Sequence, residues 1–466
     1  MKLPTPKGRQ QEVVYLPEKG HTVVLGTAGS GKTSMAMLRA IHLQNTHCRE
    51  NEKTLVLTYN KMLISYMSSF EEFRTASFSI NSYYKVAYRV LSSKNLMSNG
   101  YLDSNRKKQL IEISKNTVAQ MHSDALLKRD YMVFFEEIKW IQSFGIRTLQ
   151  EYETTQRTGR KGTRINREKR KYIWYVYEDY KNRRANSGFN VDWDDAPIFV
   201  EDILRSNNSD LGYKHIIIDE GQDFTPAMIK SISAGLPQQG SLTFFGDVAQ
   251  QIYGSRISWK DAGLRPPKVW EFKENYRNSK EIADLALEIT KSKYFSDEPD
   301  IVAPNIVKAA SAKPTLVKFK NKDEFSEVLN IAINLAQNQQ LAILVRKRDL
   351  VRQIIGQLKS RTNQIPIEEL HDQRGEYLPE RGIMVGTYHS AKGLEFDTVI
   401  MPFCTSSIWP SPERISEIGE EDTSVEDIRL LYVGVTRAKT GLIISYTQTV
   451  TALLPASSAF YNLMEM

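Results

Sequence analysis

Residues 26–33 read GTAGSGKT, and this stretch decides the fold. It fits the pattern G-x-x-x-x-G-K-[ST]. The residues ahead of it, 21–25 (HTVVL), are apolar and β-branched and read as a buried strand. Those behind it, 34–43, read as a helix. Strand, glycine loop and helix together frame a phosphate cradle. Gly26, Gly29 and Gly31 let the backbone amides around Thr27, Ala28 and Ser30 turn inward about an anion. Lys32 can reach terminal phosphates, and the Thr33 hydroxyl suits a magnesium ion. The helix N-terminus adds its partial positive charge.

The chain has 466 residues, 41% apolar and 25% charged, which is ordinary for globular structure and long enough for two or three domains. Its 62 Lys and Arg against 55 Asp and Glu give a formal charge of +7. That balance permits nucleic-acid contact without demanding it. Two distant cysteines, Cys48 and Cys404, build no disulfide framework, zinc site or iron–sulfur cluster. The opening MKLPTPKGRQ has no apolar core, and no apolar run is long enough for a bilayer. A cytoplasmic protein with no membrane partner is expected.

Strands are expected at 22–25, 54–58, 213–218 and 242–245. Residues 85–205 change to helical periodicity rich in charges and aromatics. After Pro266-Pro267 the alternation returns, with helices at 279–291, 322–338, 348–359 and 425–434. The strands there fall at 316–320, 341–345, 382–386, 397–401 and 441–446. Strands alternating with helices imply an α/β fold with parallel sheets. The expected division is a first domain from 1–84 and 206–268, a mainly helical insertion at 85–205, and a second domain at 269–466. Residues 361–381 and the acidic 413–427 read as surface loops.

A second signal is IIIDEGQDF at 216–224, an apolar strand ending in carboxylates. Asp219 would hold magnesium through water, and Glu220 would orient an attacking water as general base.

DEGQDF resembles the DExQD motif of superfamily 1 helicases of the UvrD/Rep/PcrA type, and the other motifs of that family follow in order. Gln11 stands fifteen residues before Gly26, as the family's adenine-reading glutamine does. TYNK at 58–61 resembles motif Ia, and FFGDVAQQIYG at 244–254 resembles motif III, with Gln250 as phosphate sensor. ENYR at 274–277, TYHSAKGLEF at 387–396 and LLYVGVTRAK at 430–439 resemble motifs IV, V and VI. The resemblance implies two RecA-like P-loop NTPase motor domains that hydrolyse ATP with Mg2+ and move 3′→5′ on single-stranded DNA. It makes Lys32, Asp219, Glu220, Gln250, Arg277 and Arg437 the catalytic set, with Tyr276 on the adenine and Glu395 near the ribose. Two arginines from the second half facing phosphates held by the first would make cleft closure depend on ATP.

Nucleic acid is expected across the tops of both motors, on Tyr59, Asn60, Ser82, Tyr253 and His389, within a region that includes 79–84. Ser255 stands where the family carries a second aromatic of motif III, and Trp259 follows four residues on. The run 157–171 holds eight basic residues and one acid. Its Arg160, Lys161, Arg164 and Arg167 form a candidate phosphate-binding patch, with a solvated loop as the plain alternative. The aromatics of 172–180 read mostly as core. VDWDD at 191–195 resembles the family's LDFDDLL segment.

The chain departs from the family in one large respect. The second insertion that precedes motif V is reduced to 361–381, and no appended nuclease domain is read. The expectation is therefore a compact ATP-driven DNA translocase or helicase, in repair, recombination or phage defence, that unwinds duplex poorly by itself. The alternatives are RNA as the strand, a motor subunit that needs a nuclease or another protein, and an ATP-switched binding module on RNA polymerase or another partner.

Overall fold

The computed structural model describes residues 3–466 except 60, 69, 73–77, 158–164, 207–208, 248–258, 260–261, 296–304, 307–311, 321–322, 371–378 and 380. Two parallel sheets organise the chain. The first runs in the order Ser79–Ser82, Thr54–Thr58, His215–Ile218, Ser241–Gly246, Gly20–Gly26, Val269–Phe272. Its central strands are apolar at nearly every position because both faces are covered. Val23, Leu25, Leu55, Leu57, Ile216 and Ile218 point to one core. Val24, Val56 and Ile217 alternate to the other, where they meet Met35, Ala36, Ala40 and Leu43 of the helix Lys32–His47. The expected first-domain boundary at 268 falls short, since Val269–Phe272 pairs with Gly20–Gly26 in this sheet.

The second sheet runs in the order Ile367–Glu369, Gly382–Thr387, Gln340–Val345, Phe396–Met401, Ala438–Thr447, Thr315–Phe319, Asn462–Glu465. It is sandwiched in the same way. Helices Glu324–Leu335 and Arg348–Arg361 cover Leu341, Ile343, Val345, Ile383 and Val385. Helices Lys280–Thr290 and Glu420–Thr436 cover Ala342, Leu344, Met384 and Val399.

Two stretches expected as loops contain regular elements. Residues 413–427 lie in the helices Pro412–Ile418 and Glu420–Thr436. Ser411 caps the first by accepting from the Arg414 amide, and Pro412 supplies a preset φ at its start. Within 361–381, Ile367–Glu369 forms an edge strand of the motor sheet itself.

The insertion is helical, as the periodicity indicates. Its main helices are Ser104–Met121, Tyr131–Phe144 and Arg170–Asn186. Asp103 and Asp130 cap the first two. Ile111, Val118, Phe134, Ile138, Ile173 and Tyr177 belong to a core separate from both sheets. On the third helix Trp174, Tyr177 and Tyr180 turn inward while Tyr175 stays exposed.

Candidate nucleotide site and nucleic-acid track

The glycine loop leaves the first sheet at Gly26 and enters its helix at Lys32, with Gly29 and Gly31 at φ of 74° and 82°. Lys32 is buried and its ammonium donates to the carbonyls of Gly26 (2.9 Å) and Thr27 (2.7 Å). Asp247, at the end of the strand Ser241–Gly246, lies 3.9 Å from it. Burial pulls the Lys32 ammonium below its usual range, against the attraction of Asp247 and Glu220.

Asp219 ends the strand His215–Ile218. Its Oδ2 accepts from the Thr33 hydroxyl at 2.8 Å, while its buried Oδ1 has no hydrogen-bond partner. Burial and the adjacent Glu220 push this carboxyl up. A hydroxyl and a carboxylate oxygen held together, with one buried lone pair unspent, fit a hard cation with oxygen ligands. Among the described residues no group of three His, Cys, Asp or Glu makes another metal site.

Glu220 takes a left-handed φ of 51°, a strained conformation for this residue type, and its carboxylate accepts from the Gln222 amide. The other end of Gln222 accepts from the Asp247 amide at 2.8 Å. Gln222 therefore locks the two acidic strand ends together. A side chain at Gly221 would strike the Phe244 ring, so the turn can bear none.

The second half closes on this loop. The Tyr276 amide donates to the Gly29 carbonyl at 3.0 Å. Arg277 donates from Nε to Glu395 at 2.5 Å. Burial works to raise the Glu395 carboxyl, but Arg277 and Lys439 hold it below its usual range. Arg437 is buried and donates to the carbonyls of Val433 (3.1 Å) and Leu394 (3.2 Å). Burial and then Arg277 lower it to about 10, and Glu220 and Asp247 pull against them. Asn278 spans from Asn275 (2.9 Å) to the Thr436 carbonyl (3.2 Å), which ties the ENYR segment to the loop that carries Arg437. Across the cleft, Lys392 and Asp223 form a buried ion pair.

Lys32, Thr33, Asp219, Glu220, Arg277, Glu395 and Arg437 thus surround one loop. The expected glutamine is displaced by one residue. Gln11 is exposed and bonded to the Pro6 carbonyl, whereas Gln10 is buried and donates to the Ser30 carbonyl at 2.9 Å. Gln10, Gln222, Asp247, Asn278 and Lys392 were absent from the expected set. Gln222, Asp247 and Lys392 all lie inside motifs quoted above. Gln250 lies outside the described residues.

Tyr59 and Ser82 sit at the carboxyl ends of neighbouring strands, where Thr58 pairs with Ser82. Ligands of open parallel sheets bind at such ends. Ser82 also caps the helix Tyr83–Ser92 through its hydroxyl. Beside them an aromatic row continues. Tyr59 lies 6.4 Å from Tyr84, Tyr84 meets Trp193 edge-on at 4.7 Å, and Trp193 stacks on Tyr101 at 4.1 Å. Tyr59 is 37% exposed and Trp193 42% exposed. His389 follows the strand Gly382–Thr387, and burial, Lys392 and Arg346 push its imidazole down to about 4, so it is neutral at pH 7.

Asn60, Tyr253, Arg160, Lys161 and Arg164 lie outside the described residues. Arg167 is exposed in the short helix Arg167–Lys169. Its basic neighbours are used for folding. Arg157 forms a fork with the buried Glu137, Arg170 donates to the Thr155 carbonyl (2.8 Å), and Lys169 pairs with Asp124. Trp259 is half-buried and packs edge-on against Phe244 at 5.1 Å, at the margin of the first sheet's core.

A glycine loop, two acidic strand ends and arginines from the second half of the chain define a two-lobed P-loop nucleoside triphosphatase fold. Residues 7–264 match the UvrD/REP helicase N-terminal domain and residues 367–449 the UvrD-like helicase C-terminal domain, so the chain belongs to the UvrD-like helicase family. It is 22% identical to a probable DNA helicase of Mycoplasma pneumoniae over 491 aligned positions, covering 97% of this chain and 85% of that protein. It is 23% identical to the ATP-dependent DNA helicase UvrD2 of Mycobacterium tuberculosis over 556 positions, covering 94% and 78%. Among the described residues no helix is long and apolar enough to cross a membrane.

Proposed function

We propose that this protein is an ATP-driven motor that moves 3′→5′ along single-stranded DNA and strips obstacles from it. The observation that carries the reading is the convergence of charged groups from both sheets on one glycine loop. Lys32 and the backbone amides of 27–33 would bind the phosphates, and Gln10 and Tyr276 would flank the base. Thr33 and Asp219 would hold magnesium, which when bound neutralises charge on the β- and γ-phosphates. Glu220, fixed by Gln222, would take a proton from the attacking water. Arg277 and Arg437 would stabilise charge on the transferring phosphoryl group. Both come from the second half, so the step favours a closed cleft, and the return to the open form supplies movement.

Tyr59, Tyr84, Trp193 and His389 would line the strand. Aromatic faces stack on any base, which suits sequence-independent travel. Duplex unwinding is the weaker activity in this reading. Among the described residues, the span between the paired strands Gln340–Val345 and Gly382–Thr387 holds the helix Arg348–Arg361 and the edge strand Ile367–Glu369. The alignment with UvrD2, at 556 positions, is longer than this chain, so that relative carries segments this one lacks. DNA repair, recombination or phage defence are the settings in which such a motor acts, alone or beside a nuclease.

The test compares ATP turnover without nucleic acid, with single-stranded DNA and with RNA, then pairs streptavidin displacement from a DNA end with unwinding of tailed duplex. Turnover stimulated by DNA, with displacement outrunning unwinding, is expected. Turnover indifferent to any strand would overturn the motor and favour an ATP-switched binding module. Processive unwinding of long duplex by the protein alone would overturn the part assigned to the missing insertion.

A further inference from the structure

The insertion holds a buried charge cluster that the nucleotide chemistry does not use. Lys107, on the helix Ser104–Met121, is 2% exposed. Its ammonium donates to Gln142 (2.6 Å), Asp192 (3.1 Å) and Asp194 (2.8 Å). Asp192 also accepts from Gln142 (2.9 Å), Tyr180 (2.7 Å) and Arg184 (2.9 Å), and Arg184 reaches on to Asp195. Three insertion helices thus converge on the segment VDWDD.

That segment is a tight turn. The amides of Asp194 and Asp195 donate to Asp192 Oδ1, and the Asp192 amide donates to Asp195 Oδ1. The turn starts the helix Ala196–Ser206, which returns the chain to the first sheet. With Asp192 and Asp195 drawn inward by the two cations, Trp193 between them is left facing outward. Its indole then lies on Tyr101, whose neighbour Leu102 donates its amide to the Val191 carbonyl at 3.1 Å. Asp103, two residues past Tyr101, caps the helix that carries Lys107. One buried cation therefore fixes both partners of the stack.

We propose that Lys107 and Arg184 are positioning residues for strand binding. They act through Trp193 by holding its indole on Tyr101 in the aromatic row, and so couple the fold of the insertion to the motor's grip on nucleic acid. The proposal rests on the single-strand reading above. A buried ion network fixes a unique geometry rather than adding net stability, and a flat indole gains from having its angle fixed before a base arrives. Losing that preorganisation should weaken binding while leaving phosphoryl transfer intact, because no member of the cluster lies at the glycine loop.

The experiment measures the single-stranded DNA concentration that half-activates ATP turnover, the turnover at saturating DNA, the KM for ATP, and direct binding of a labelled oligonucleotide by anisotropy. Lys107→Met should raise the half-activating concentration and the anisotropy Kd about tenfold, the loss of one stacked base. Saturated turnover and the KM for ATP should stay near wild type, and Lys107→Arg should recover part of the loss. Trp193→Ala should give a similar rise, and the double variant should be no worse than Trp193→Ala alone. Multiplying effects in the double variant, or a Lys107→Met that lowers only saturated turnover, would overturn the proposal. If Lys107→Met does not fold, Asp194→Asn removes one partner of the ammonium at a partly exposed position. It should give a smaller rise of the same kind, and no rise would overturn the proposal. Wild-type protein that ignores single-stranded DNA would overturn the motor reading and this inference together. A normal wild-type response with an unchanged Lys107→Met would overturn this inference alone.

Discussion

Two buried carboxylate clusters anchor this molecule, one in the insertion and one in the cleft, and their acids are bonded to different degrees. In the insertion, Asp192 accepts from Lys107, Gln142, Tyr180, Arg184 and two backbone amides. In the cleft, Asp219 keeps a buried oxygen without a partner, Glu220 is held at positive φ, and the buried Arg437 has its charge disfavoured by the nearby Arg277. A carboxylate with every lone pair engaged, like Asp192, fixes geometry, while one with a buried oxygen unspent, like Asp219, suits a ligand. The difference separates structural charge from working charge without reference to any motif.

Mutations should sort along the same line. The largest effect is expected at Arg437→Ala, which should cut ATP turnover by about a thousandfold or more while ATP affinity stays within about tenfold. Nucleotide binding and single-turnover kinetics check it, and a variant at half the normal rate would mean that the two sheets do not share a site. Glu220→Gln should lower turnover by about 10²–10⁴-fold and leave ATP bound but uncleaved. Asp192→Ala should do the reverse, destabilising the insertion by about 3–5 kcal/mol, seen in thermal unfolding or limited proteolysis, with little change in saturated turnover. Unchanged unfolding there would dissolve the distinction between the clusters.

A smaller effect is expected from acid. Burial, with Lys214 and Arg39, pushes His215 down to about 4. The unfolded chain therefore binds its proton first, and the stability His215 contributes at neutral pH should drain away as pH falls from about 6.5 towards 4. His215→Gln should flatten that part of the melting-temperature profile. The smallest effect concerns the basic run. Changing Arg160, Lys161, Arg164 and Arg167 to Ala should reduce the log–log salt slope of single-stranded DNA binding by up to about three. An unchanged slope would leave the run a solvated loop.

The cleft was largely legible because its chemistry is written in contiguous strings. GTAGSGKT, DEGQDF and LLYVGVTRAK each bring loop, charge and flanking element together. The error at Gln11 is one position wide, yet successive residues of a helix face about 100° apart, so only Gln10 meets the loop. The insertion network was not legible. Lys107, Gln142, Arg184 and Asp192 sit on separate elements, and nothing local marks a lysine that will be buried. Residues 413–427 misled through composition, since dense acid reads as solvent-facing loop. Their helices are held by a serine cap and by Arg414, which bridges Glu417, Glu426 and Glu136 of the insertion. The edge strands Ile367–Glu369 and Asn462–Glu465 are too short to show a period.

Gly29 has a consequence for how this sequence can drift over generations. Its φ is positive, and a Cβ there would come within 2.4 Å of Arg277 Cβ and 2.5 Å of Asn275 Oδ1. The freedom of a loop residue is thereby set by a segment far along the chain, on the other side of the cleft. Among descendants of this protein, positions 29, 275 and 277 should be inherited as a block, and a substitution at 29 should survive only in lineages where the ENYR segment has already moved away.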